Sequence, residues 1–379
     1  MDKDKVAIVG CAQTKYEEDK IDLTISELVF EVVHQLHDDL GITNDDVGCV
    51  ITSSNDFNDG RTIANMAIQD AVGSVRKSES RVSGDGAFAY VYGAMRILSE
   101  SYDTVLVVSH CKCSEVSQYL VNNSIFDPFY QRHLGLDQVS SAGLMANMYM
   151  QKYGISEKQA AKIAVKNRRY ALDNPYAHLQ REISIEDVLN SKMMAYPLKE
   201  LDLPPFSDGA VAMLLTNEAK AKEFTDTPVW LRGYGSCTDA YYLGHRNMTD
   251  LVGLELAAKE AYKMANIQNP LKEIDVFEVY DAFSFHELMI YESLGLCKKG
   301  EGGKFIDEHF ESNLPINKSG GVLSSNPTMA NGLIRVAEVA TQLMGKAGKR
   351  QVDNAKIGLA HGMNGICSQG NCVLIFGGE

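Results

Sequence analysis

A chain of 379 residues, 45% hydrophobic and 23% charged, can bury a large core and implies more than one domain or half. Its net charge of -14 excludes nucleic acid as the main partner, because phosphate binding needs a basic face. No run of about 18 apolar residues is present to cross a membrane, and the opening MDKDKVAIVGCAQ lacks the apolar stretch of a signal peptide. A cytoplasmic protein with no membrane partner is expected. The first predicted strand is KVAIVGCAQ, followed by an amphipathic helix with Val29, Val32, Val33, Leu36 and Leu40 on one face. DDVGCVITSS predicts a short strand. SRVSGDGAFAYVYGAMRILSE then reads as a small, glycine-flanked cluster opening an apolar helix, which feeds the strand TVLVVSH. Much later comes the strand GAVAMLLTN.

The second half repeats this order. PVWLRGYGS is followed by the helix LVGLELAAKEAYKMANI and the strand EIDVFEVYDAF. After these come INKSGGVLSSNPTMANGLIRVAEVATQLMG, the strand KIGLAHG and the final strand NCVLIFGG. Two copies of one strand–helix order imply two similar α/β halves, 1–113 with 206–226 and 227–379, each burying its sheet against shared helices. Residues 114–205 break the pattern. They are mostly polar and helical in character, as in SEKQAAKIAVKNRRYALDN, with a stop at DNPYAH. A long excursion of this kind is expected to cover the active-site face.

Eight cysteines in a chain of this size do not suggest a disulfide scaffold. The pair Cys111 and Cys113, beside His110, lacks the second pair of a zinc ribbon, so packed thiols and no metal are expected. The run KKGEGGKF, Lys298 to Phe305, reads as an exposed turn and has no phosphate-loop spacing.

The two-half pattern, DGAVAMLL closing the first half, VYDAFSFHELMIYESLGLC, NKSGGVLSSNPTMANG and the terminal HGMNG together resemble the thiolase superfamily. Within it, the chain is most similar to the sterol-carrier-type and archaeal thiolases that work on acyl-CoA thioesters. The resemblance runs in order along essentially the whole chain. It implies a duplicated α/β fold in five layers, αβαβα, with two similar mixed-sheet halves and a helical loop insertion. It also implies the family's catalytic parts: a cysteine at a buried helix N-terminus, an Asn or His in an N-E-A-F or H-D-x-F loop, a His in a G-H-P turn, and a Cys or His near the C-terminus. A helix N-terminus suits the first part, since its free N–H groups and positive dipole end lower a thiol pKa and hold an oxyanion.

Aligned on ESYDTVLVV, the nucleophile's position falls on Ser83, and C-A-S-G becomes S-G-D-G. The H-D-x-F histidine falls on Tyr280 and the G-H-P histidine on Asn326; only His361 keeps a familiar group. Ser83 would need an adjacent base to act as a nucleophile; Ser is also a common helix N-cap. Asp85 either caps the same helix or orients a donor there. Tyr280 can donate to a developing oxyanion, and Asn326 can donate to a thioester oxygen but cannot act as a base. His361 is the expected general base. His286, on the run after Tyr280, is a weaker alternative as base and is expected on a helix surface or in the core, and Cys367, in a Gly-rich loop, is a possible helper. Gly84, Gly86, Gly320 and Gly321 permit the close backbone approach of a narrow pantetheine channel or of tight helix packing.

The resemblance therefore implies an enzyme that makes or breaks a carbon–carbon bond β to a CoA thioester without the usual cysteine acyl-enzyme, on acyl groups that can be bulky or aromatic. CoA or acyl-CoA would be substrate, with no tightly bound cofactor. The alternatives are retro-aldol cleavage of a β-hydroxyacyl-CoA and a catalytically inactive subunit of a heteromeric complex. Partners implied in the same way are a second copy of the chain, as a homodimer, and a small zinc-ribbon/OB-fold protein.

Overall fold

The structure, a computed structural model, describes residues 5–378. In the first half the strands are β1 Val6–Gln13, β2 Cys49–Ser53, β3 Ser78–Val82, β4 Thr104–Lys112 and β5 Asp208–Asn217. The second half has β6 Val229–Thr238, β7 Val276–Glu278, β8 Ile357–Asn364 and β9 Gly370–Gly377. They join in the order β3-β2-β4-β5-β1-β6-β9-β8-β7. The order is mirrored about the β1–β6 seam, where Ala7 pairs with Trp230 and Ile8 with Val229. In the second half the place corresponding to β3 is taken by a single parallel pairing of Phe277 with Ile316. Both blocks are mixed: β2 runs parallel to β3 and β4, and β7 parallel to β8, while the remaining neighbours are antiparallel.

Alternation along the strands makes the layers. On β1, Ala7 and Val9 pack outward beneath α1 (Ile25–Leu40), whose stripe Leu28, Val29, Val32, Val33 and Leu36 is buried. Val6 and Ile8 face inward, to a middle apolar layer with Tyr90 and Leu333. That layer is built on α2 (Gly86–Leu98) and α7 (Asn331–Leu343), which pack on one another between the two sheet blocks. On β9 the alternation repeats: Cys372, Leu374 and Phe376 face the middle layer, Val373 and Ile375 the outer one beneath α5 (Val252–Ala265). The result is the five-layered αβαβα arrangement of two similar halves.

The excursion between β4 and β5 carries α3 (Gln138–Tyr153), α4 (Glu157–Ala171) and a short hairpin, Met193–Ala195 with Leu198–Lys199. It is anchored on the second half by Lys166, whose Nζ donates to the Ile316 carbonyl at 2.9 Å and lies 2.8 Å from Glu287 on α6 (Ser284–Ser293). Two local expectations are corrected. The predicted strand EIDVFEVYDAF keeps only Val276–Glu278. Beyond it the backbone leaves the sheet because Val279 N donates to Asn317 Oδ1 and the Asp281 carboxylate turns to accept from Val322 N and Leu323 N. In KKGEGGKF only the start is a turn; Gly302 opens a helix to His309, with its N–H donated to Glu292 Oε1 at 2.9 Å.

Candidate active site

Beyond the ends of β7 and β8 lies a cavity of about 320 Å³, with Tyr280, His286, Asn326 and Cys367 in its wall. The excursion contributes Gln138, Ala142, Met194 and Leu203 to the same wall. A second cavity of about 360 Å³ holds Ser83 and Gly84. Thr328, Met329, Asn364 and Gly365 border both.

Asn331, the first residue of α7 and fully buried, organises the first cavity. Its Nδ2 donates to Tyr280 Oη at 3.0 Å and to Asn326 Oδ1 at 2.7 Å. With Oη already accepting, the phenolic proton has no acceptor among the described residues and is free for a bound group. Burial, and then the Asp85 charge, push the Tyr280 pKa well above the usual phenol value. The phenol therefore stays protonated at neutral pH and serves as a donor, not a base. Asn326, in the cavity wall, spends its carbonyl on Asn331, and its NH2 makes no hydrogen bond among the described residues. Sequence reasoning missed Asn331; its spacing of five residues from Asn326, across a helix start, was the available signal.

His361 lies behind Tyr280 and is fully buried. Its Nδ1 accepts the Tyr280 backbone N–H at 3.3 Å, and its Nε2 faces Asn371 Oδ1 at 3.1 Å. An acceptor on one nitrogen and a donor on the other define a neutral ring protonated at Nε2. Burial lowers its pKa to about 4. As placed, His361 has no free nitrogen for a substrate proton; it holds the Tyr280 backbone.

His286 differs. It sits in the first turn of α6, fully buried, with its ring stacked on Phe283 at 5.1 Å and 18°. Neither ring nitrogen makes a well-formed hydrogen bond to any described residue, although the Tyr280 backbone exerts a smaller hydrogen-bonding pull on the ring. Burial, followed by the neighbouring His361, lowers its pKa to about 3. An unmatched buried polar group costs about 1–3 kcal/mol, so this one needs a reason. Of the two expected positions, helix surface or core, it takes the core, in the cavity wall.

The helix cap is Asp85 rather than Ser83. Asp85 Oδ1 accepts from Ala87 N at 3.0 Å, and its own N–H donates to Asn364 Oδ1 at 2.7 Å. Ser83 lies outside the helix, exposed, and its hydroxyl makes no hydrogen bond among the described residues. Cys367 stands at a positive φ of 49°, and burial raises its thiol pKa to about 11, so it remains protonated at neutral pH. Gly84 borders the second cavity; the other glycines admit neighbours. A Cβ on Gly86 would meet Leu333, one on Gly320 would meet Ala171, and one on Gly321 would meet the Asp281 carboxylate. Cys111 and Cys113 are buried beneath the site, both against Thr328 Oγ1.

Residues 6–219 match the family described as "Thiolase, N-terminal domain", and residues 235–378 that described as "Thiolase C-terminal domain-like". The chain is 32% identical over 374 residues to the acetyl-CoA acetyltransferase of Methanothermobacter thermautotrophicus, covering 95% of this chain and 96% of that protein. It is 35% identical over 231 residues to sterol carrier protein 2 of Oryctolagus cuniculus, covering 58% of this chain and 42% of that protein. Among solved structures, the Ltp2-ChsH2(DUF35) aldolase has a similar fold, with a TM-score of 0.83 at 23% identity, over 98% of this chain and 97% of that one.

Proposed function

The chain belongs to the thiolase family, in its sterol-carrier-type branch, and from that premise we propose that it makes or cleaves the carbon–carbon bond β to a CoA thioester by direct transfer of the acyl group to or from CoA, with no acyl group carried on the protein. The observation that supports this most is the clamp of Asn331 on Tyr280 and Asn326. It leaves one O–H and one NH2 donor at one cavity wall, the requirement for holding the oxygen of a thioester enolate as the bond breaks. The similarity to an acetyl-CoA acetyltransferase over nearly the whole chain supports the acyl-CoA substrate class.

A covalent route through Ser83 lacks its parts. A serine nucleophile needs a base within hydrogen-bond reach, and Ser83 is hydrogen-bonded to none among the described residues. Met194, Leu203, Pro204, Phe206 and Phe283 make the first cavity apolar enough for a bulky or aromatic acyl group. A homodimer and a small zinc-ribbon/OB-fold partner remain part of the proposal, on the sequence resemblance. Among the described residues no helix is long and apolar enough to cross a membrane.

The test is turnover with free CoA of a panel of β-ketoacyl-CoA esters with short, long and aromatic acyl groups, read together with the mass of the intact protein. Two thioester products with no protein adduct are expected. An acyl adduct on Ser83 or Cys367 would overturn the direct route. Release of an aldehyde or ketone from a β-hydroxyacyl-CoA, with no thiolysis, would make the protein a retro-aldol lyase, which shares the enolate but not the acceptor. Inactivity on every CoA ester would make it an inactive subunit.

A further inference from the structure

We propose that His286 is the proton-transferring residue of this cavity, taking the proton from the CoA thiol and returning it to the α-carbon of the thioester enolate. This rests on the thiolytic reading above and names the group that moves the proton within it.

The argument starts from which groups at the cavity are free. His361 has both ring nitrogens occupied, by the Tyr280 N–H and by Asn371. Tyr280 and Cys367 are held in their protonated forms by burial. Asp85 has both carboxylate oxygens engaged by backbone N–H groups, of Ala87 and Gly332. Glu200 is in the wall but exposed, on the excursion side. His286 alone among these is a buried wall residue whose ring nitrogens make no well-formed hydrogen bond to any described residue. Its placement is fixed on both sides: its backbone N–H bonds to the Phe283 carbonyl at 2.9 Å, and its ring lies flat on the Phe283 ring. Packing thus orients an imidazole whose nitrogens make no well-formed hydrogen bond to any described residue, which points to a group brought by the substrate.

The step balances as follows. The S–H bond of CoA breaks and its proton passes to a free imidazole nitrogen of His286. The thiolate sulfur bonds to the β-carbonyl carbon. The Cα–Cβ bond then breaks, and its electron pair becomes the enolate of the departing thioester, whose oxygen lies at the Tyr280 O–H and the Asn326 NH2. The imidazolium gives its proton to Cα, which restores the neutral ring. Burial, together with the positive end of α6, favours that neutral form, so the ring starts as an acceptor and returns the proton readily.

The experiment pairs two readouts: thiolysis of the β-ketoacyl-CoA panel, and exchange of the α-protons of acetyl-CoA for deuterium in D2O, followed by NMR. His286→Gln should lose at least about 100-fold in both, and free imidazole should restore part of the activity of His286→Ala. That rescue separates a missing base from a misfolded cavity, and a thermal melt of each variant gives the second check. Wild-type rates of thiolysis and exchange in His286→Gln would overturn the assignment and leave the thiolytic reading standing. Failure of imidazole to rescue a folded His286→Ala protein would also overturn it. Wild-type protein that exchanges α-protons but performs no thiolysis overturns the thiolytic reading, with the loss or retention of exchange in His286→Gln still deciding the proton-transfer role.

Discussion

The Asp85 carboxylate accepts the backbone N–H of Gly332 at 2.7 Å through one oxygen and that of Ala87 at 3.0 Å through the other. One side chain thus satisfies first-turn donors of both central helices, α2 and α7, which come from different halves of the chain. Gly332 has room for nothing else: a Cβ there would stand 1.7 Å from Asp85 Oδ1. Gly332→Ala should therefore destabilise the fold by about 3 kcal/mol. Asp85→Ala, which leaves two buried N–H groups unmatched, should cost about 1–3 kcal/mol. Urea unfolding followed by circular dichroism measures both.

Burial raises the Asp85 pKa to about 7, although the Gly332 and Ala87 N–H groups pull it down. Burial moves the Glu278 and Asp281 carboxyls in the same direction. A carboxyl in the unfolded chain titrates near pH 4. Between that pH and 7 the folded state therefore holds the proton more tightly, and stability from these groups is lost as the pH rises. The unfolding midpoint should fall as the pH rises from about 4.5 to about 7.5. Asp85→Asn should start lower and vary less over that range. A midpoint rising across the range would contradict the assignment.

Arg335 is buried against Glu278, with Nη1 2.9 Å from Oε2 and 2.8 Å from Ser319 Oγ. Arg335→Met leaves an uncompensated buried carboxyl and should cost about 3–5 kcal/mol. Adding Glu278→Leu should recover much of that loss, because the charge left behind, rather than the pair, carries the penalty. A double-mutant cycle by chemical denaturation reads the difference.

Removing the phenolic donor in Tyr280→Phe should lower turnover by about 100- to 1,000-fold with little change in stability. Ser83→Ala should stay within a few-fold of wild type, since Ser83 lies outside the cavity that holds Tyr280. Steady-state kinetics on whichever CoA ester the wild type accepts, alongside intact-protein mass, checks both. A large loss in Ser83→Ala would return the nucleophile to the helix start.

Much of this architecture was legible because its signals are local. The stripe Leu28 to Leu36 repeats at helical spacing, the strand–helix order recurs in both halves, and a small polar residue stands where a helix begins. Even so, the cap proved to be Asp85 and not Ser83, because only the backbone direction decides which carboxyl or hydroxyl reaches Ala87 N. The state of the histidines was beyond any local reading. His361 looked like the base from its glycine-rich turn. A backbone N–H from Tyr280, eighty-one positions away, and the side chain of Asn371 consume its nitrogens.

By itself, then, the sequence determined the two halves, the excursion within the first of them and the set of polar residues available for chemistry, since composition and periodicity are properties of neighbours along the chain. Only the tertiary structure decided which polar groups are spent on the fold and which are left over. Hydrogen-bond capacity is used up by partners distant in sequence, as when Asn331 joins Tyr280 to Asn326, while the His286 ring makes no well-formed hydrogen bond among the described residues.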